Sequence, residues 1–97
     1  MIARYQILYW KTIPSLVEAF EGDRTARVLL SQRFQDLIDS VAMREGASAQ
    51  ETYLEGWQKG PINDRPGSAE SVAEAVAAEL EASFQELLAK HVLPPPA

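Results

Sequence analysis

The sequence predicts an α+β fold in which a small antiparallel sheet of two or three strands packs with two short helices and a long C-terminal helix. Three observations predict this fold class. An aromatic-rich extended segment opens the chain, two capped amphipathic segments follow it, and an alanine- and glutamate-rich segment fills the C-terminal third. At 97 residues, the chain is long enough for one domain with a single core.

The first predicted strand covers residues 4–10, where aromatic and aliphatic side chains would lie on both faces of a sheet. It should end before Pro14, because proline cannot donate a hydrogen bond to a neighbouring strand. Residues 15–21 fit either a strand or a single helical turn. We favour a hairpin in which a turn at Gly22 connects this segment to a strand over residues 25–30.

The clearest helix is predicted over residues 31–46, where Ser31 is a suitable N-cap and Gly46 a suitable C-terminal glycine. Its apolar face would contain Phe34, Leu37, Ile38, Val41 and Ala42. A second helix is predicted to begin near Ser48 with a capping box and to end before a Gly-Pro pair. Its buried face would contain Ala49, Tyr53 and Trp57, with Leu54 beside them.

The C-terminal part is predicted to be a separate element. Residues 1–60 would form the α+β domain, 61–67 a linker, 68–91 an amphipathic helix, and 92–97 a tail. The tail contains three consecutive prolines and should be extended or disordered.

The long helix carries one apolar stripe, formed by Val72, Val76, Leu80, Phe84 and Leu87. An amphipathic helix of this length buries its stripe either on its own core or in the groove of a partner. We predict that these residues bind a partner, at least in part, and packing on the core is the alternative.

Two tryptophans and a tyrosine are predicted to be core aromatics, with a contact to a partner as the alternative. These residues are Trp10, Tyr53 and Trp57. Truncating a large core side chain is costly, so Trp57→Ala should lower the free energy of unfolding by about 3–5 kcal/mol.

The composition excludes several classes of site. Without cysteines the chain has no disulfide, thiolate metal site or cysteine nucleophile, and its single histidine, His91, cannot form a usual zinc site. The sequence contains neither a dinucleotide-binding glycine motif nor a phosphate-binding loop. We therefore predict that the protein is not an enzyme and binds neither cofactor nor metal.

Charge and hydropathy constrain its partners. A formal net charge of −5 makes nucleic acid an unfavourable partner, because an acidic surface repels phosphate groups. No apolar run reaches the roughly 20 residues that cross a membrane. The absence of cysteines and of a signal-peptide pattern predicts a cytoplasmic protein.

The order of a strand, a capped helix, a glycine corner and a second capped helix in residues 25–59 resembles the ribbon-helix-helix superfamily. The matching residues are Val28, Leu30, Phe34, Leu37, Ile38, Val41, Ala42, Gly46 and Ser48. In that superfamily, strands from two subunits pair and their outward side chains read the major groove of DNA.

The resemblance implies an alternative function, a dimeric DNA-binding transcriptional regulator that uses Thr25, Arg27 and Leu29. Of these, only Arg27 suits a base or a phosphate well. A regulator should expose this strand face beside a basic flank. An interaction module should instead pair the strand with the N-terminal strand or cover it.

A second group of residues carries another resemblance, over roughly residues 7–60. It comprises Tyr9-Trp10-Lys11, Ile13-Pro14, Arg33-Phe34-Gln35, Ile38-Asp39, Ala42-Met43-Arg44 and Tyr53-Leu54-Glu55-Gly56-Trp57. These segments are similar to the small bacterial virulence factor family, which matches a domain of conserved virulence factor C.

The resemblance implies no specific reaction, but it implies an association with folate- and corrinoid-dependent one-carbon enzymes. We therefore predict a non-catalytic protein–protein interaction module, an accessory or assembly subunit of a bacterial cytoplasmic complex. The identity of the protein partner is not predicted, and a homodimer is compatible with this function.

Overall fold

The computed structural model describes residues 1–46 and 50–92, which form a five-stranded antiparallel sheet and four helices. The elements are β1 (Ile2–Trp10), β2 (Ile13–Glu21), β3 (Arg24–Leu29), α1 (Gln32–Arg44), α2 (Gln50–Glu55), β4 (Trp57–Lys59), β5 (Asn63–Pro66), α3 (Ala69–Ala82) and α4 (Phe84–Val92). The strand order is β3-β2-β1-β4, and β5 pairs with the opposite end of β1. The α+β class is confirmed, but the sheet has more strands than predicted.

Two consecutive hairpins build the centre of the sheet. The predicted hairpin of β2 and β3 is confirmed, and Gly22 in its turn has a φ of 59°, which glycine adopts at no steric cost. Pro14 lies within β2, at the irregularity where the register with β1 shifts between Leu8 and Tyr9. A bulge tolerates proline because the local ladder is already interrupted.

Helices α1 and α3 pack on one face of this sheet, and the core lies between them and the strands. The strand side chains that contact the core alternate with outward ones: Ala3, Tyr5 and Ile7 in β1, Val17 and Ala19 in β2, and Ala26 and Val28 in β3. The predicted apolar face of α1 is confirmed, since all five of its predicted residues are buried.

The prediction of a single C-terminal helix over residues 68–91 is wrong. Two helices replace it, and they meet at Ser83. The first begins with a capping box. The Ser68 hydroxyl accepts a hydrogen bond from the Ser71 amide, and the Ser71 hydroxyl accepts one from the Ser68 amide. In the second, the Phe84 ring packs edge-on against Phe34 of α1, with the ring centroids 4.9 Å apart.

The predicted partner-binding stripe lies in the core of this fold. Val72, Val76 and Phe84 are buried, and Leu80 and Leu87 are partly buried against the same core. For Val72, Val76 and Phe84 this is the alternative of packing on the core. Binding of a partner by the partly buried Leu80 and Leu87 stays a prediction. The sheet needs an apolar cover on one face, and this stripe provides it within the chain.

The predicted second helix is shorter than expected and ends at Glu55. Trp57, predicted on its buried face, lies instead in β4, where it is half-buried opposite Trp10 of β1. A Cβ atom on Gly56 would lie 2.5 Å from Nε1 of Trp10, so the close approach of these segments requires glycine. Residues 63–66, predicted as linker, form β5 and pair with β1. Ser48, Ala49 and residues 93–97 lie outside the described residues.

The start of α1 is bonded to the end of α3 through one carboxylate. Glu81 accepts hydrogen bonds from the amide and the hydroxyl of Ser31, at 2.7 and 2.8 Å, and from the Arg33 guanidinium at 3.0 Å. Burial opposes the ionisation of Glu81, but these bonds outweigh it and hold the pKa of its carboxyl below the ordinary value.

We expect Glu81→Gln to lower the free energy of unfolding by about 1 kcal/mol near neutral pH, since it removes a charge-assisted cap of α1. The folded-state pKa is lower than the unfolded one, so the carboxylate stabilises the fold above the unfolded-state pKa. This contribution is lost as the pH falls through the folded-state pKa. Urea titrations from pH 7 into the acid range should therefore show the difference between the two proteins disappear. Glu74→Gln, at an exposed position of the same helix, is the control and should change little at any pH.

Candidate protein-binding surface

The sheet has a second face that no helix of the described residues covers. The strand residues that alternate with the core-facing ones point to this side, because successive side chains of a strand lie on opposite faces. We call this surface the open face; it comprises Ile2, Arg4, Gln6, Leu8, Leu16, Glu18, Phe20, Thr25, Arg27, Leu29, Lys59, Asp64 and Pro66.

An apolar row crosses the open face. Leu8 lies opposite Leu16, and Leu16 lies opposite Leu29, so the three leucines are neighbours on three adjacent strands. Leu29 is 74% exposed. Leu8 and Leu16 are half-buried by their neighbours but do not belong to the core on the other side of the sheet. The row is therefore an apolar surface directed away from the core.

A cation lies near each end of this row: Arg27 beside Leu29 on β3, and Lys59 opposite Leu8 on β4. Nε of Arg27 donates to Oε2 of Glu18 at 2.6 Å, and the Arg27 side chain is 67% exposed whereas that of Glu18 is 14% exposed. The acid is thus covered and the guanidinium faces outward. At the other end of the row, Lys59 is exposed opposite Leu8. Among the described residues no carboxylate lies within ion-pair distance of Lys59.

These side chains surround a depression of about 370 Å³. It is lined by Gln6, Leu8, Leu16, Glu18, Arg27 and Lys59. A second depression of about 440 Å³ continues past Lys59 to the β1–β2 turn and is lined by Tyr9, Lys11, Thr12, Gln58, Lys59, Gly60 and Pro61. Burial, together with the nearby Tyr5, raises the pKa of the Tyr9 phenol above its ordinary value, so this hydroxyl is a neutral hydrogen-bonding group near pH 7.

The residues predicted to read DNA also lie here. Thr25, Arg27 and Leu29 are exposed on the open face, but their strand pairs with β2 of the same chain. The cations of this strand each pair with an acid of the same chain: Arg27 through Nε with Glu18, and Arg24 with Glu70 of α3 at 3.4 Å. The ribbon-helix-helix-like core is not confirmed. The strand face is exposed, as a regulator requires, but both arginines of β3 already pair with acids of the same chain.

Two further observations concern other kinds of site. Within residues 1–46 and 50–92 there is no group of three or more metal-ligating side chains, and Nε2 of His91 lies 3.2 Å from the Thr12 hydroxyl. No helix in the same ranges has the length and apolar character of a membrane span.

Sequence reasoning missed the open face because it left residues 15–21 ambiguous. From Leu16 to Phe20 the side chains of β2 alternate: Val17 and Ala19 are buried, while Leu16, Glu18 and Phe20 lie on the other side. The available signal was the presence of apolar residues at both parities of this segment, which is compatible with a strand that is apolar on both faces. It would have directed attention to this surface rather than to the C-terminal stripe.

A family model described as "Virulence factor" matches residues 8–90. The match confirms the predicted resemblance and extends it, because it includes α3 and most of α4 in addition to the predicted region. No curated protein and no solved structure gives a significant match.

Proposed function

We propose that this chain, which belongs to the virulence factor family, is a non-catalytic protein–protein interaction module that binds its partner through the open face. The observation that carries this proposal is the row of Leu8, Leu16 and Leu29 on the uncovered side of the sheet. A contiguous apolar patch that is rimmed by polar groups is typical of a binding site on a soluble protein.

The layered architecture supports the same function. The open face carries four apolar side chains among polar ones, Leu8, Leu16, Phe20 and Leu29, and no helix of the described residues covers them. Removing the leucine row from water would contribute about 25 cal/mol for each Å² of apolar area buried. A partner that packs on the open face would complete a three-layer arrangement and gain this free energy.

The proposed role is that of an accessory or assembly subunit of a bacterial cytoplasmic complex. The folate- and corrinoid-dependent one-carbon enzymes that the family resemblance implies are the first partners to test.

Affinity purification from the native host, followed by mass spectrometry, tests the proposal when it is done with matched variants. Leu29→Lys places a charge in the apolar row, and Leu54→Lys places one on α2 at a residue that is also exposed (55%) but lies outside the open face. We expect the wild type and Leu54→Lys to recover the same proteins and Leu29→Lys to lose at least one of them about tenfold or more, a change that corresponds to about 1.4 kcal/mol.

Both variants should keep the wild-type circular dichroism spectrum and melting temperature, since neither leucine is buried. If Leu29→Lys is folded and recovers every protein that the wild type recovers, the open face is not the binding surface.

A further inference from the structure

We propose that the segment bound by the open face is an acidic amphipathic helix of the partner. This inference rests on the proposed function and adds the chemistry of the partner to it. It follows from the dimensions of the open face and from the positions of its charges.

The dimensions suit a single helix that lies along β2. This strand has nine residues, which extend over about 30 Å, the length of a helix of about 20 residues. Four strands lie side by side in the order β3-β2-β1-β4, and their outer members are about 14 Å apart. A helix about 10 Å across fits between these flanks. Its apolar stripe would contact Leu16 and Phe20, with Leu8 and Leu29 to either side.

The charges on the two outer strands, β3 and β4, favour a negatively charged partner. Arg27 lies on the β3 side of this path and Lys59 on the β4 side, and both are exposed. The acid between them, Glu18, is largely covered. A helix with carboxylates on both borders of its apolar stripe would place them beside these two cations, and this complementarity favours association.

A second copy of the chain fits the open face less well. In a two-fold symmetric contact the same surface meets itself, and both acids of the open face are already paired, Glu18 with Arg27 and Asp64 with Arg4. The exposed Lys59 of one copy would therefore meet no unpaired acid within the open face of the other. Nucleic acid is also a poorer occupant, because the centre of the open face is apolar and the whole chain has a net charge of −5.

The test uses the full chain and two synthetic probes. The acidic probe is a 20-residue helical peptide. Its leucines are spaced alternately three and four residues apart to form one stripe, glutamates border this stripe, and alanines fill the other positions. The basic probe has lysine in place of each glutamate. Titration of the isotope-labelled protein, followed through its amide chemical shifts, gives both the affinity and the surface that is contacted.

We expect the acidic probe to bind at least about tenfold more tightly than the basic one and to shift amide signals of β1, β2 and β4 around Leu16 and Lys59. Lys59→Glu should weaken the acidic probe by about tenfold, since it replaces an attraction by a repulsion, and should strengthen the basic probe. Lys59→Arg should retain the wild-type preference. Lys90→Glu, the matched control on α4, should change neither affinity, because Lys90 is exposed outside the open face.

The inference is overturned by several results: equal affinity for both probes, no detectable binding at millimolar peptide, shifts confined to the helical side, or an equal effect of Lys59→Glu and Lys90→Glu. Tighter binding of a 20-base-pair DNA duplex than of the acidic probe also overturns it. These failures are distinct from failure of the proposed function. If Leu29→Lys loses a cellular partner while the acidic probe shows no preference, the open face binds a protein of different chemistry.

Discussion

Deleting residues 67–97 is expected to leave a chain that has no cooperative unfolding transition. The deletion removes the cover of one face of the sheet, to which it contributes Ala69, Val72, Ala73, Val76, Ala77 and Phe84. Complete burial of a valine or phenylalanine side chain is worth about 1.5–3 kcal/mol. The loss of three such residues alone therefore approaches the 5–15 kcal/mol of net stability that is typical of a domain.

Urea titration followed by circular dichroism measures this loss, and size-exclusion chromatography detects the expansion or aggregation that should accompany it. The matched control is Ala78→Ser, a change at an exposed position of α3, which should keep a sharp transition. A truncated chain that unfolds cooperatively with the melting temperature of the full chain would contradict the packing of α3 and α4 described above. It would also return the C-terminal stripe to the role of a docking element.

Trp10→Ala should be the most destabilising of the single aromatic truncations, with a loss of about 3–5 kcal/mol. Trp10 is fully buried, its ring stacks on Tyr53 with a centroid distance of 5.7 Å, and its Nε1 donates to the Tyr53 carbonyl at 2.7 Å. The substitution leaves a cavity and removes one of the two donors to this carbonyl, the other being the Gly56 amide at 3.2 Å. Equilibrium unfolding in urea, monitored by far-ultraviolet circular dichroism, gives the change in free energy directly.

Trp57→Ala is the matched comparison. The sequence pattern predicted the large loss of unfolding free energy at this residue. Trp57 is only half-buried, however, and its ring packs edge-on against Tyr53 with the ring centroids 6.0 Å apart. The structure therefore moves the expected large effect from Trp57 to Trp10. A greater loss for Trp57→Ala than for Trp10→Ala would show that the burial of these two side chains is described wrongly.

The elements that sequence analysis identified are those whose signals are local. The first helix is bounded by Ser31 and Gly46 and has apolar residues at helical spacing, so its start, end and buried face could all be predicted. The hairpin turn at Gly22 requires a positive φ, which the residue type indicates. Only the detail of the cap differed, because the Ser31 hydroxyl bonds to Glu81 rather than to its own helix.

The candidate site was predictable only in part. Thr25, Arg27 and Leu29 were correctly grouped on one strand face, since a period of two specifies which residues share a side. The role of these three side chains in the surface depends on residues of other strands. Arg27 is paired with Glu18 across the hairpin, and Leu29 continues the row of Leu8 and Leu16. No local pattern shows that helices cover the opposite face and leave this one free.

The sequence by itself determined the α+β class, the central hairpin, the first helix and the amphipathic character of the C-terminal segment, because turn, cap and periodicity signals act within a few residues. Only the tertiary structure decided the roles of β4 and β5. These segments of three and four residues are strands because they hydrogen-bond to the edge of β1 that β2 leaves unpaired. They are separated from β1 by roughly 50–60 residues in the sequence. The tertiary structure also decided which apolar surface is internal. Periodicity shows that a stripe will be buried, but the packing of α3 on the sheet buries Val72 and Val76 and leaves the leucine row of the open face available to a partner.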